Sequence, residues 1–392
     1  MDLLKIVLTV AVVGGSGLAV PLRGLAQAPA AAPAAAAVRS PEVQPDRRIT
    51  FRVHAPQANA VSLRFEGAAQ THAMTKDPSG VWSVTIGPVE PEIYSYNFVV
   101  DGLRVLDLAN HTVSSGMALG SNLVEVPGTP ARFDEVQNLP HGSVNIHSYR
   151  SAVQNATRGL YVYVPAEYYT AATKRYPVLY LYHGGGGYEA DWSRNGRASI
   201  IMDNLLAAKR AVPMIVVMPN NNNLAGGAQG AAVTTVPNPN TAVIGRELLT
   251  EIIPFIESHY RALAARESRA IAGLSAGGGT AFPTGLSNLD TFAAVGEFSS
   301  GMFGQGTVAN TPAVSADRIV PGLFDNVPAT VRRLKLLYMS CGTEDPRMPF
   351  QEQTYNDLKK RGFNPVFMKF AGAHQWKVWR HSLHDFAPRL FR

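Results

Sequence analysis

The stretch Gly273-Leu274-Ser275-Ala276-Gly277 limits the fold of this chain more than any other. It follows the short apolar run Ala270-Ile271-Ala272 and precedes Gly278-Gly279-Thr280-Ala281-Phe282. A G-x-S-x-G pattern between a strand and a helix predicts a nucleophile elbow, a sharp turn that strains the backbone of its serine. Glycine on both sides lets strand and helix approach with no side chain between them. Ser275 then stands at the carboxyl edge of a sheet, and the N–H of Ala276 is poised to receive negative charge. In a chain with 35 glycines the same five letters also arise in ordinary turns, so the reading rests on what accompanies them.

An unactivated serine is a weak nucleophile. It needs a base to take its proton, and the base needs an acid to orient it. The strand expected at 334–339 leads into Cys341-Gly342-Thr343-Glu344-Asp345-Pro346, and the strand at 366–370 into Ala371-Gly372-Ala373-His374-Gln375-Trp376. Alone, an Asp before Pro punctuates a turn and a loop His is merely solvated. Together at the ends of successive strands they supply an acid, Asp345, and a base, His374. Glu344 is the alternative acid; Asp345 is preferred because its shorter side chain holds a more definite position. Upstream, His183-Gly184-Gly185-Gly186-Gly187 follows a strand at 176–182. Its glycines let backbone N–H groups reach a tetrahedral oxyanion. Gly185 is taken as the donor that partners Ala276, with Gly186 next in line, and His183 as a brace for the loop. No Lys-Ser or Lys-Thr follows, which excludes a phosphate loop. Gly186 and Trp376 are candidate substrate contacts, although Trp376 fits a core position beside Trp379 equally well.

A length of 392 residues suggests about two domains, and the 46% hydrophobic share suits a globular core. The net charge of +6 is not gathered into basic runs, which argues against nucleic-acid binding. Cys341 is the sole cysteine, so a disulfide within the chain and a multi-cysteine zinc site are both excluded; a small buried hydrophobe is expected there. His381 and His384 lack an evident third ligand and are read as a helix-surface pair, with no metal site. Residues 1–28 read as a signal peptide: Lys5, an apolar stretch at 6–20 and Ala26-Gln27-Ala28. That stretch is short and glycine-broken for a membrane span. An Ala/Pro linker at 29–40 follows, and a secreted or periplasmic protein with no membrane attachment after signal removal is expected. Residues 41–127 carry short alternating runs, with Asp101-Gly102 as a hairpin turn, and predict a small β-sandwich. From 128 to 392 strands and helices alternate, which predicts an α/β domain with a mostly parallel sheet covered on both faces.

Two resemblances follow. Pro78-Ser79-Gly80-Val81-Trp82 and Tyr94-Ser95-Tyr96-Asn97-Phe98 resemble the early-set immunoglobulin-like modules of glycan-active enzymes. Trp82 is read as a core residue in preference to a sugar platform. The C-terminal region resembles the esterase D-like branch of the α/β-hydrolases, specifically the feruloyl and acetyl-xylan esterases. The resemblance lies in Leu139-Pro140-His141-Gly142-Ser143, Arg158-Gly159-Leu160-Tyr161-Val162, the H-G-G-G-G loop with Trp192, the elbow, Cys341-Gly342-Thr343-Glu344-Asp345, and His374 with Trp376, Trp379 and Arg380. It implies an α/β-hydrolase domain, a Ser275–His374–Asp345 triad, an oxyanion hole at Gly185 and Ala276, and no cofactor. The implied substrates are hydroxycinnamoyl or acetyl esters of plant polysaccharide. The competing readings are an enterochelin-type siderophore esterase, an acyltransferase to sugar, and a non-enzymatic glycan binder. The segments 220–240 and 302–330 depart from a tidy match; they either frame the substrate cleft or are surface insertions.

Overall fold

The computed structural model describes residues 38–116, 120–224, 239–304 and 313–392. The expected signal peptide and most of the linker therefore lie outside it, as do residues 225–238 and 305–312 of the 220–240 and 302–330 segments. From Val38 onward the described residues form one compact unit. Ser40, inside the span expected as linker, is buried, and its hydroxyl donates to Asp107 at 2.6 Å.

The N-terminal part is two antiparallel sheets face to face. One contains Glu42–Val43, Ile49–His54, Val81–Ile86 and Thr75–Lys76; the other contains His72–Ala73, Val61–Phe65, Ile93–Val100 and Leu103–Val105, with Asn122–Glu125 also on Ile93–Val100. Alternation puts Val61, Leu63 and Phe65 inside, while Ser62 and Arg64 face outward. Phe51, Tyr96 and Phe98 complete the core with edge-on ring contacts. Asp101 and Gly102 both have positive φ (46° and 87°), as a two-residue primed hairpin turn demands. Trp82 is a core residue, 8% exposed, and its indole N–H donates to the Ala55 carbonyl at 2.9 Å.

The second part is built on an eight-stranded sheet: β1 Ser143–Ser151, β2 Ala156–Val164, β3 Val178–Tyr182, β4 Ile215–Pro219, β5 Arg269–Leu274, β6 Ala294–Phe298, β7 Leu336–Gly342 and β8 Val366–Phe370. The spatial order is β1-β2-β4-β3-β5-β6-β7-β8. β2 runs antiparallel to both β1 and β4; the other pairs are parallel. The β1–β2 hairpin was not anticipated as strands. β1 mixes exposed and half-buried residues, which suits an edge strand but yields a weak hydrophobic signal. By contrast every residue of β3, β4 and β6 is buried, as parallel strands covered on two faces require.

Helices cover both faces. Ile201, Met202 and Leu205 of α1 (Ala198–Ala207) join Val378, Leu383 and Phe386 of the C-terminal helix (Trp376–Phe386) on one side. On the other lie Ile244, Leu248, Ile252 and Ile256 with Phe282 and Leu358. The first four come from a long helix that starts at Pro239–Glu247, widens to a π turn at Leu248–Ile252 and resumes at Ile253–His259. Pro254 explains the widening: it has no N–H to donate, and its ring would collide with the carbonyl one turn back. Each large side chain buried in these layers contributes about 1.5–3 kcal/mol.

Candidate active site

The elbow forms as the sequence implies. β5 ends at Leu274, and a helix, α2, runs over Ala276–Ser287. Between them Ser275 sits at φ 52° and ψ −118°, a conformation that L side chains rarely adopt. Its N–H donates to the Phe298 carbonyl at 2.7 Å, and its carbonyl accepts from Gly279 at 3.1 Å. A Cβ at Gly273 would lie 2.4 Å from the Gly277 carbonyl carbon, and one at Gly277 would lie 2.4 Å from the His183 carbonyl oxygen. The two glycines are thus required by contact.

The sheet brings three distant residues into line. Ser275 Oγ lies 2.9 Å from His374 Nε2, and His374 Nδ1 lies 2.6 Å from Asp345 Oδ2. Asp345, 2% exposed, follows β7; its other oxygen accepts from the Arg347 N–H at 3.0 Å and guanidinium at 3.1 Å. Burial alone would raise its pKa, but the hydrogen bonds and positive charge of His374 and Arg347 prevail and hold it below the usual carboxylate range. Glu344 points into solvent and touches none of these atoms, so of the two carboxylates Asp345 is the one beside the imidazole. The His374 ring packs edge-on against Trp379, centroids 4.8 Å apart.

Gly185, Gly186 and Ala276 are exposed at the mouth of the site. A Cβ on Gly185 would be 3.8 Å from the Ala276 Cβ, so the two backbones face each other closely. Their N–H groups donate to no acceptor among the described residues; Ala276 opens a helix, where the first N–H groups lack partners within it. His183 braces the loop as expected. Its Nδ1–H donates to the Gly184 carbonyl and its Nε2 accepts from the Asn221 N–H, both at 2.8 Å. Burial pushes its pKa down to about 4, which keeps the ring neutral and able to accept. Behind it, Arg158 of β2 pairs with buried Glu247 at 3.1 Å and donates to the carbonyls of Asn220 and Asn222 at 2.7 Å.

Around these groups is a cleft of about 410 Å³. Gly186 and Trp376 line it. Trp376 also packs edge-on against Trp192 and Trp379, at 5.4 and 5.2 Å, so it is both a packing residue and a cleft residue. None of the described residues of 220–240 or 302–330 lines the cleft. Ile319, Val320 and Leu323 instead pack into the hydrolase core. Part of the wall comes from the N-terminal module, through Glu66, Ser95 and Ser114 among others.

The sequence reading missed Asp191 and Arg347, and it named Arg380 without a role. Asp191 is 5% exposed beside the glycine loop; its Oδ1 has no hydrogen-bond partner, and burial pushes its pKa up to about 6. Its place immediately before Trp192, just past the glycine loop, was the available signal. Arg380 lies on the helix that follows His374. It is 2% exposed and joins the two parts, pairing with Glu92 of the module and with Asp134 at 2.8 Å, and donating to the Asn195 carbonyl at 3.0 Å. The histidine pair is corrected too. His381 and His384 are half-buried and flank Phe133, centroids 4.6 and 4.4 Å away. Among the described residues no cluster of His, Cys, Asp and Glu could hold a metal ion. Cys341 is fully buried, and burial raises its thiol. No helix among the described residues is long and apolar enough to cross a membrane.

This architecture is the α/β-hydrolase fold behind an immunoglobulin-like module. The chain belongs to the putative esterase family, which it matches over residues 151–390. Residues 38–112 match carbohydrate-binding module 48, the isoamylase N-terminal domain. An endo-1,4-beta-xylanase/feruloyl esterase of Xylanibacter ruminicola is 28% identical over 360 residues, which is 90% of this chain and 46% of that protein. The chain thus spans less than half the length of the curated relatives it matches. A solved ferulic acid esterase aligns at TM-score 0.55 and 28% identity, covering 64% of this chain and 99% of the other. The enterobactin esterase of Shigella flexneri aligns at TM-score 0.62 over 87% of this chain and 92% of its own; at 17% identity it shares the fold.

Proposed function

We propose that this protein cleaves hydroxycinnamoyl or acetyl esters of plant polysaccharide through a Ser275–His374–Asp345 triad. The observation that carries the reading is the continuous chain from Ser275 Oγ to His374 (2.9 Å) to Asp345 (2.6 Å). The feruloyl esterase relatives favour the acyl group and the polysaccharide.

In this mechanism Ser275 Oγ attacks the ester carbonyl while His374 Nε2 accepts its proton. Asp345, ionised and buried, fixes the Nδ1–H tautomer and stabilises the imidazolium. The N–H groups of Gly185 and Ala276 receive the negative charge of the tetrahedral intermediate. His374 then protonates the leaving alcohol, and the acyl group remains on Ser275. A water, deprotonated by His374, attacks the acyl-enzyme; the intermediate collapses to release the acid and the Ser275 hydroxyl.

Ser275→Ala is expected to lower kcat on methyl ferulate by about 10⁶ while thermal unfolding stays two-state and near the wild-type midpoint. Retained hydrolysis would reject the nucleophile. A panel of methyl ferulate, acetylated xylan, a trilactone siderophore and nitrophenyl acetate tests the substrate class; preference for the trilactone would overturn it. The reading of residues 1–28 makes the enzyme secreted or periplasmic, and mass spectrometry of exported protein should find Met1 removed.

A further inference from the structure

The glycine loop after β3 has to hold an N–H in place, yet it is the segment least able to hold itself. Gly184-Gly185-Gly186-Gly187 is an unbroken glycine run, and each glycine loses more freedom on ordering than any other residue. Gly186 sits at φ 73°, and a Cβ there would meet nothing within 4 Å, so the middle of the loop stands in open space. Support from within the loop is thin. The Gly187 N–H reaches the Gly184 carbonyl at 3.4 Å, and the His183 ring donates to that same carbonyl at 2.8 Å. An oxyanion donor is effective only when it is fixed before the charge develops. The rigidity has to come from outside.

Its source is the asparagine run Asn220-Asn221-Asn222-Asn223, directly after β4. At one end of the glycine loop, the Asn221 N–H donates to His183 Nε2 at 2.8 Å. At the other, the Asn222 side-chain amide donates to the Gly187 carbonyl at 2.8 Å. Asn220 stiffens the run: its Oδ1 accepts from the Asn222 N–H at 2.8 Å, and its amide donates to Glu189 Oε2 at 2.6 Å. The run is gripped in turn by Arg158 of β2. The guanidinium donates to the carbonyls of Asn220 and Asn222, both at 2.7 Å, and to the Glu247 carboxylate at 3.1 and 3.3 Å. Tyr149 and Gln154 donate to the same carboxylate at 2.8 and 3.3 Å. Arg158 and Glu247 are both buried. Reaching two carbonyls and a carboxylate at once takes the planar fork of an arginine; a lysine ammonium is a point charge. The next residue fits the same design, since a Cβ on Gly159 would collide with the Glu189 carboxylate. The Arg158-Gly159 pair thus serves the glycine loop twice, by gripping the asparagine run and by leaving room for Glu189.

We propose that Arg158, Asn221 and Asn222 form a clamp that presets the glycine loop, so that the Gly185 N–H already points where the oxyanion will form. None of the three lines the cleft, so they are positioning residues that act through the loop. The clamp rests on the reading of Gly185 and Ala276 as oxyanion donors, and it supplies what holds one of them.

The test uses the full chain and two variants, with melting curves to show which are folded. Asn222→Ala removes one bond to the loop, and Arg158→Lys removes the fork. On nitrophenyl acetate, kcat should fall about tenfold in Asn222→Ala and about a hundredfold in Arg158→Lys with KM unchanged, because a loosened donor weakens the transition state and spares the ground state. Phenylboronic acid adds reversibly to a serine hydroxyl as a tetrahedral anion, and it should bind more weakly by the same factors. Ferulate has no tetrahedral centre and should bind as it does to the wild type. Tyr169→Phe, which removes an exposed hydrogen bond to Asn145 in the same domain, should change none of these quantities. Folded variants with wild-type kcat and wild-type boronate affinity overturn the clamp and leave the esterase reading intact. So does a loss of ferulate affinity equal to the loss of boronate affinity, which would mean that the whole cleft is distorted. If Arg158→Lys does not fold, Asn222→Ala decides alone. A wild type that hydrolyses no ester overturns the esterase reading, and the clamp with it.

Discussion

The two sides of the cleft are built on opposite terms. The hydrolase floor is defined by backbone: a strained Ser275, glycines in contact at 273 and 277, and an acid buried behind its histidine. The module wall is defined by side chains that project from an ordinary antiparallel sheet. Chemistry demands atoms fixed to within a fraction of an ångström, so the floor tolerates almost no substitution. A wall demands only groups that reach into the cleft, so it can vary without loss of the fold. The contrast predicts where damage is severe and where it is selective.

The most damaging change short of Ser275 itself should be Asp345→Asn, which keeps the shape but removes the charge and the preferred tautomer. A fall in kcat of about 10⁴ is expected, against less than twofold for the exposed neighbour Glu344→Gln. Equal effects from steady-state kinetics would break the assignment of the acid. Next in size is Arg380→Leu, at the seam between floor and wall. It leaves Glu92 as a buried charge without a cation and Asp134 with Arg132 alone, at a cost of about 3–5 kcal/mol. The melting midpoint should drop by roughly 10 °C. A variant that melts normally would show that the seam is not held by this cation.

The smallest effect concerns a carboxyl inside the floor. Glu297 of β6 is fully buried; it accepts from the Ser300 N–H at 3.0 Å and the Gln351 amide at 3.2 Å, and its Oε1 has no partner. Burial pushes its pKa from an ordinary 4.5 up to about 8. The folded protein keeps this proton while the unfolded chain releases it, so the group's stabilising contribution is complete below about 4.5 and is lost as pH rises through about 8. Glu297→Gln mimics the neutral acid. Its melting midpoint should match the wild type at pH 4 and exceed it by several degrees at pH 8.5. A constant offset across that range would sink the argument.

Much of the floor was legible because it is local. The elbow needs five consecutive residues in one conformation, and the glycine loop needs another five, so each leaves an unbroken signature. The buried strands at 178–182, 215–219 and 294–298 announced themselves as apolar runs for the same reason. The β1–β2 hairpin, half wet along its outer strand, did not. The wall was not legible at all. Nothing in the 220–240 and 302–330 segments tells a cleft loop from a surface insertion, and their described parts do not line the cleft around Ser275.

From the sequence alone came the strand–turn–helix that strains Ser275, the candidate base and acid, and the order of sandwich before α/β domain. These follow from short-range sterics and from the periodicity of burial. The fold decided which of two adjacent carboxylates meets the imidazole, since the path of the chain after β7 buries Asp345 against His374 and leaves Glu344 exposed. It also decided that a buried arginine holds the module against the catalytic helix, and that Glu66 lines the same cleft as a serine more than two hundred residues away. Such contacts arise when sheets stack and loops converge in three dimensions, and no spacing along the chain encodes them.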